Sequence, residues 1–152
     1  MAFRNEIHSE VTIEASADEV WAVLSDFASY EAWNPSMKSM QGEATVGTRL
    51  TIRFALNGGR TMTMRPTVLV AEPGRELRWL GHLLMPGLFD GEHRFTIEER
   101  EPGRVTLHQD ERFRGLLVPF LRKFIEVDTL TTFHAVNEAL AHRVVERRAS
   151  AK

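Results

Sequence analysis

The sequence predicts an α+β domain in which one strand and two short helices lead into an antiparallel sheet that a long C-terminal helix completes. Three observations predict it. Between residues 89 and 113 apolar and polar side chains alternate with the period of two of a half-buried strand. Successive strand pairs keep their apolar faces in step across tight turns. From Pro119 onward neither glycine nor proline occurs, and helix formers dominate to about Arg147.

Each element has a local reason. Ile7, Val11 and Ile13 alternate with His8, Glu10, Thr12 and Glu14, which makes a first strand. Ser16 then caps a helix, Glu19 three residues on completes a capping box, and Val20, Trp21, Val23 and Leu24 form the apolar face. Phe27 and Tyr30 suggest a second short helical turn, broken at Trp33-Asn34-Pro35 because the residue before a proline is pushed out of the helical region. A strand near 37–42 follows. Leu50, Ile52, Phe54 and Leu56 make one face of the next, and Met62, Met64, Pro66, Val68 and Val70 continue it beyond the Asn57-Gly58-Gly59-Arg60 turn, with Leu56 set opposite Met62. The Pro73-Gly74 turn sets Val68 opposite Trp79 and Val70 opposite Leu77. Parity also holds across Glu101-Pro102-Gly103, so the strands form an antiparallel meander. On the C-terminal helix Phe120, Phe124 and Val127 make one stripe, while Phe133, Asn137, Leu140 and Val144 make another rotated around the axis. No straight helix presents both to one partner, which implies a kink, a stutter or a second partner.

Composition narrows the function classes. The 152 residues fit one domain over 1–152, long enough to bury a core without staples. Cysteine is absent, which excludes disulfides and thiolate chemistry. Nineteen basic and twenty-one acidic residues are interspersed, so there is no nucleic-acid footprint; Arg143, Arg147 and Arg148 read as a solvated helix end. No apolar run approaches the roughly 20 residues that span a bilayer, and no signal-peptide core is present, so a soluble cytoplasmic protein without membrane insertion is expected. The six histidines show no paired ligand spacing, and His8 and His108 point outward by strand parity, so neither metal nor cofactor is expected. No serine sits on a glycine-flanked elbow, and Gly58-Gly59 is too short to cradle a phosphate.

The informative anomaly lies on the inward face. Phe89, Gly91, His93, Phe95 and Ile97, then Val105, Leu107, Gln109, Glu111 and Phe113, share it, so three polar groups stand among aromatics. Ionisable groups on an inward face signal a core that is wet or occupied. If Ile97 pairs with Leu107, His93 meets Glu111 directly across the ladder; a two-residue shift sets it against Gln109 instead.

The order of elements resembles the helix-grip fold of the START and Bet v 1 superfamily. The 14–21 stretch Glu-Ala-Ser-Ala-Asp-Glu-Val-Trp, Trp33-Asn34-Pro35, Glu72-Pro73-Gly74-Arg75 with Leu77 and Trp79, the 86–93 stretch Pro-Gly-Leu-Phe-Asp-Gly-Glu-His, and Glu111-Arg112-Phe113 are similar to the bacterial polyketide cyclase/dehydrase and lipid-transport branch. The resemblance covers nearly the whole chain. It implies a strongly curved sheet wrapped around the long helix, with a tunnel between them bordered by loops. Fold does not dictate activity, and the branch includes cyclases, lipid carriers and small-ligand sensors.

Two readings of the site follow. In the first, a small hydrophobic, lipid-like or aromatic ligand occupies the tunnel of a carrier or sensor, lined by Trp33, Phe54, Met62, Met64, Trp79, Phe89, Phe95, Gln109, Phe113, Phe133 and Asn137. In the second, His93 moves a proton in a cyclisation or dehydration, Glu111 orients or charges it, and Asn137 or Gln109 holds a carbonyl oxygen. The apolar Leu83 to Phe89 segment is expected either to cross the tunnel mouth as a lid or to tuck against the long helix, and a third reading has it dock on a client protein. The oligomeric state is left open, a homodimer among the options.

Overall fold

The computed structural model describes residues 5–150. Strand β1 (Glu6–Ile13) leads into helix α1 (Ala17–Leu24), a 3-10 turn (Phe27–Ser29) and helix α2 (Tyr30–Trp33). Seven strands follow: β2 (Met37–Gln41), β3 (Thr51–Ala55), β4 (Thr61–Met64), β5 (Thr67–Glu72), β6 (Glu76–Leu83), β7 (Phe89–Glu101) and β8 (Arg104–Arg114). A 3-10 turn (Val118–Leu121) and a π turn (Phe124–Thr129) precede helix α3 (Leu130–Ser150). This is the expected helix-grip arrangement: a curved five-stranded antiparallel sheet, order β1-β8-β7-β6-β5, with α3 packed on its inner face against β1.

The first helices hold their places by local chemistry. Ser16 Oγ accepts from the Glu19 N–H at 3.1 Å while Glu19 Oε1 accepts from the Ser16 N–H at 3.0 Å, the predicted capping box. The Tyr30 hydroxyl donates to the Leu24 carbonyl, and burial, reinforced by Asp26, pushes its pKa well above the ordinary value. At the Trp33-Asn34-Pro35 break, Asn34 Oδ1 accepts from the N–H groups of Ser36 and Met37, both at 2.9 Å, and turns the chain into β2.

The return strand predicted from Met62 to Val70 is two strands. Pro66 lies between them, and the chain changes partner there: β4 completes a three-stranded sheet, β2-β3-β4, while β5 edges the larger one. The sheets join through an Arg49 to Thr67 bridge and the Leu50 N–H to Pro66 carbonyl bond, 2.7 Å. Phe54, not Leu56, stands opposite Met62, because the turn is centred one residue earlier, on Gly58 rather than Gly59; parity survives. Val68 faces Trp79 as expected, but a bulge between Val68 and Val70 sets Val70 against Arg78 and Ala71 against Leu77.

The C-terminal helix is not one rod. Ile125 is fully buried, whereas Phe120 is 83% exposed and Val127 53% exposed, so the predicted first stripe points outward; the Phe124 side chain lies outside the described residues. An α-helix advances about 100° per residue, and the one extra residue in a π turn shifts the phase by about that angle. Past the turn Phe133, Val136, Asn137, Leu140 and Val144 face inward. Two apolar clusters result: a large one including Leu24, Trp79, Phe95 and Leu140, and a smaller one of Ile7, Phe113, Val118, Ile125 and Phe133. Replacing Ser16 by alanine removes the cap acceptor at the head of α1 and should cost about 1 kcal/mol in urea unfolding. An unchanged midpoint would show the cap to be idle.

Candidate functional site

A cavity of about 430 Å³ lies between the two sheets and the start of α3. Its walls are apolar: Phe54, Met62 and Met64 from the small sheet, Trp79, Phe89 and Phe113 from the large one, and Phe133 and Val136 from α3. Glycine makes the room. Gly81 and Gly91 are partners across β6 and β7 and both line the cavity; a Cβ at Gly81 would come within 3.1 Å of the Met64 methyl, and one at Gly91 within 3.4 Å of Glu111 Oε2. The exposed lining residues Leu56, Arg60 and Asp128 mark where the cavity opens to solvent.

The polar groups form one connected network. β7 and β8 pair Ile97 with Leu107, Phe95 with Gln109 and His93 with Glu111, the first of the two registers anticipated. His93 Nδ1 is 2.8 Å from Glu111 Oε1, and His93 Nε2 reaches diagonally to Gln109 Oε1 at 3.0 Å. Gln109 Nε2 donates to the Phe133 carbonyl at 3.2 Å and to Asn137 Oδ1 at 2.6 Å. Asn137 Nδ2 donates to Ser9 Oγ at 2.9 Å, and Ser9 Oγ donates to the Gln109 carbonyl at 3.0 Å.

These bonds settle the protons. A main-chain carbonyl can only accept, so the Gln109 amide must turn its NH₂ to Phe133 and its oxygen to His93. That oxygen also only accepts. His93 Nε2 therefore donates, and one proton is left between Nδ1 and Glu111, whichever of the two holds it. The ring is clamped by aromatics: it stacks on Trp79 (5.0 Å between centroids, 16° between planes) and touches Phe95 at 4.8 Å and Phe133 at 5.1 Å. His93 thus bridges the two apolar clusters.

Eight of the residues expected to contact a ligand line the cavity: Phe54, Met62, Met64, Trp79, Phe89, Gln109, Phe113 and Phe133; so do His93 and Glu111. Three do not. Trp33 packs on Tyr30 at 4.9 Å, Phe95 is buried in the large cluster, and Asn137 stands behind Gln109. Sequence reasoning missed Gly81, Pro66, Arg60, Asp128 and Thr132, which line it too. Gly81 carried a signal, being opposite Gly91 once the hairpin is paired; Asp128 and Thr132 carried none, because the π turn places them. Both nitrogens of His93 and both amide hydrogens of Gln109 make hydrogen bonds within the protein. Glu111 Oε2 has no hydrogen-bond partner among the described residues.

From the Leu83 to Phe89 segment, Phe89 packs against the smaller apolar cluster that includes Phe133 of α3. Within the segment only Phe89 lines the cavity. The carbonyls of Gly87 and Leu88 accept from the N–H groups of Leu116 and Leu117, at 3.0 and 2.9 Å, and Leu84 projects into solvent, 86% exposed. Gly115 permits this close stitch: its φ is +132°, and a Cβ there would meet the Leu88 carbonyl oxygen at 2.3 Å.

Because two carbonyls phase the network, the near-isosteric Gln109→Glu change should be severe. It sets acceptor against acceptor at Phe133 and Asn137 and buries a carboxyl, a loss of about 2–3 kcal/mol by urea denaturation. A loss under about 0.5 kcal/mol would mean the network is not phased in this way.

Comparison with known proteins agrees with the geometry. No curated protein matches the chain in sequence at a significant level. Among solved structures, a START superfamily protein from Mycobacterium smegmatis is 22% identical, with 93% of this chain and 97% of that one covered at a TM-score of 0.72. The Zhui aromatase/cyclase of a Streptomyces species is 20% identical over 95% of this chain and 94% of its own, TM-score 0.74. Norcoclaurine synthase from Thalictrum flavum, in complex with dopamine and hydroxybenzaldehyde, is 16% identical over 93% and 86%, TM-score 0.72. At such identities the likeness speaks to the fold. The family model described as polyketide cyclase / dehydrase and lipid transport matches residues 4–147, and the chain belongs to that family.

Proposed function

We propose that this protein binds a small, largely apolar, ring-bearing ligand in the cavity as a carrier or sensor, and that the ligand presents a hydroxyl or amine to Glu111. One observation carries the reading: a largely apolar cavity of about 430 Å³, open at one rim, whose lining includes Glu111 with one carboxylate oxygen bonded to His93 and the other without a hydrogen-bond partner among the described residues. That volume falls within the 300–1,000 Å³ or so of small-molecule sites, whose walls are mostly apolar with few polar anchors. Trp79, Phe89, Phe113 and Phe133 offer faces for a ring, and Met62 and Met64 adapt to its outline. The aromatic compounds in the norcoclaurine synthase complex support a ring-bearing ligand.

The second reading, a cyclase- or dehydratase-type enzyme, is favoured by the shared proton next to the cavity. In that case Glu111 is the group that exchanges a proton with substrate, and His93 supplies or stores the proton behind it. Acyl and aldol chemistry also needs a donor for the developing oxyanion. His93 and Gln109 have none to spare and Asn137 does not line the cavity, which weighs toward binding without turnover.

Glu111→Gln separates the two. A glutamine amide can donate to His93 Nδ1, so the network stays satisfied and the fold survives. For a carrier, affinity for a phenolic or amine probe should fall about five- to tenfold, the difference between a charged and a neutral acceptor. For an enzyme, turnover should fall about a hundredfold or more while binding survives. An apolar fluorescent probe should bind the wild type and be weakened by Phe54→Trp, which fills the cavity. Absence of saturable binding would refute both readings.

A further inference from the structure

The outer face of the sheet carries a second constellation, remote from the cavity. In the β1–β8 ladder His8 stands opposite Asp110 and Glu10 opposite His108. The inward neighbours are Ser9 and Gln109, so these four side chains point away from the core. His8 and His108 lie on the first and last strands, far apart in the chain, which is why no spacing in the sequence couples them; here their ring centroids are 5.4 Å apart.

Each imidazole is held at one nitrogen by a carboxylate. His8 Nδ1 donates to Asp110 Oδ1, and His108 Nε2 donates to Glu98 Oε2 at 2.9 Å. A carboxylate on one ring nitrogen fixes the proton there and leaves the lone pair on the other. Those other nitrogens converge: His108 Nδ1 is 3.3 Å and His8 Nε2 is 4.0 Å from the same oxygen, Glu10 Oε2. The three atoms lie within 4.8 Å of one another.

We propose that His8, Glu10 and His108 bind a first-row divalent metal ion of the zinc or copper type on the outer face of the sheet, with Asp110 and Glu98 orienting the two imidazoles. Two imidazoles and one carboxylate suit those ions rather than magnesium or calcium, which take oxygen ligands. Tetrahedral zinc with bonds of about 2.0–2.1 Å needs ligand atoms about 3.3 Å apart, so side-chain rotations of about 1 Å close the site. His8 and Glu10 are more than half exposed, leaving the remaining position to water. The bound ion would staple β1 to β8 directly behind the Ser9 and Gln109 side of the inner network.

The test is a titration of untagged, chelator-stripped protein with Zn²⁺ followed by calorimetry. One ion per chain should bind. His8→Gln and His108→Gln should each weaken binding at least tenfold, and Asp110→Asn several-fold, while His82→Gln, which alters a separate surface histidine, should leave it unchanged. Melting temperatures in chelator verify that each variant folds. Anomalous diffraction from zinc-soaked wild-type crystals needs no variant and should place the ion between the three side chains. An ion found elsewhere, no saturable binding, or equal affinity in the wild type and both histidine variants would overturn the proposal.

Discussion

The inside of this protein is organised by two main-chain carbonyls, those of Phe133 and Gln109, that can accept hydrogen bonds but never donate them. From that asymmetry the Gln109 amide, the Asn137 amide, the Ser9 hydroxyl and the His93 imidazole each take one orientation. The chain of bonds runs from β1 through α3 to β8 and β7, so it ties the helix to the sheet as well as fixing protons. Buried polar groups left unpaired would cost about 1–3 kcal/mol each, so a satisfied network also specifies one packing of α3 over others. Its outcome at the cavity is economical. The donors of His93 and Gln109 are consumed internally, and the polar group beside them in the cavity lining is the Glu111 carboxyl, which shares a proton with His93.

Space for a ligand comes from a different set of constraints. Gly81 and Gly91 omit side chains where two strands would otherwise fill the cavity, and Pro66 ends β4 so that the small sheet departs from the large one. The π turn then swings Asp128 and Thr132 to the rim and Ile125 into the smaller apolar cluster. Close packing would normally eliminate such a void; here aromatic walls held apart by a folded scaffold keep it open.

Much of this was legible in the residues. The period of two placed His93, Gln109 and Glu111 on one face, and the Ile97 to Leu107 register carried His93 to Glu111. The capping box at Ser16 and Glu19 located α1. Other features were not legible for physical reasons. A bulge beside Val68 costs one residue of register and leaves no local mark in the pattern. Trp33 and Phe95 look like any other aromatics until packing assigns them to the core. The roles of His93 and Glu111 depend on the diagonal bond from Nε2 to Gln109, and a pairwise register does not show diagonals. The π turn depends on tertiary packing of a segment whose composition is ordinary helix. His8 and His108 meet only because the first and last strands are neighbours.

The central claim is that His93 is a held donor rather than the group that meets the ligand. Nitrogen NMR of the imidazole tests it most directly, by long-range correlation of ring nitrogens and carbons in the folded protein with and without an apolar phenolic probe. The account predicts that His93 Nε2 carries a proton throughout, and that probe binding perturbs Glu111 while leaving the Nε2 signal in place. An unprotonated Nε2, or an Nε2 signal that moves to a new bonding state when the probe binds, would contradict it.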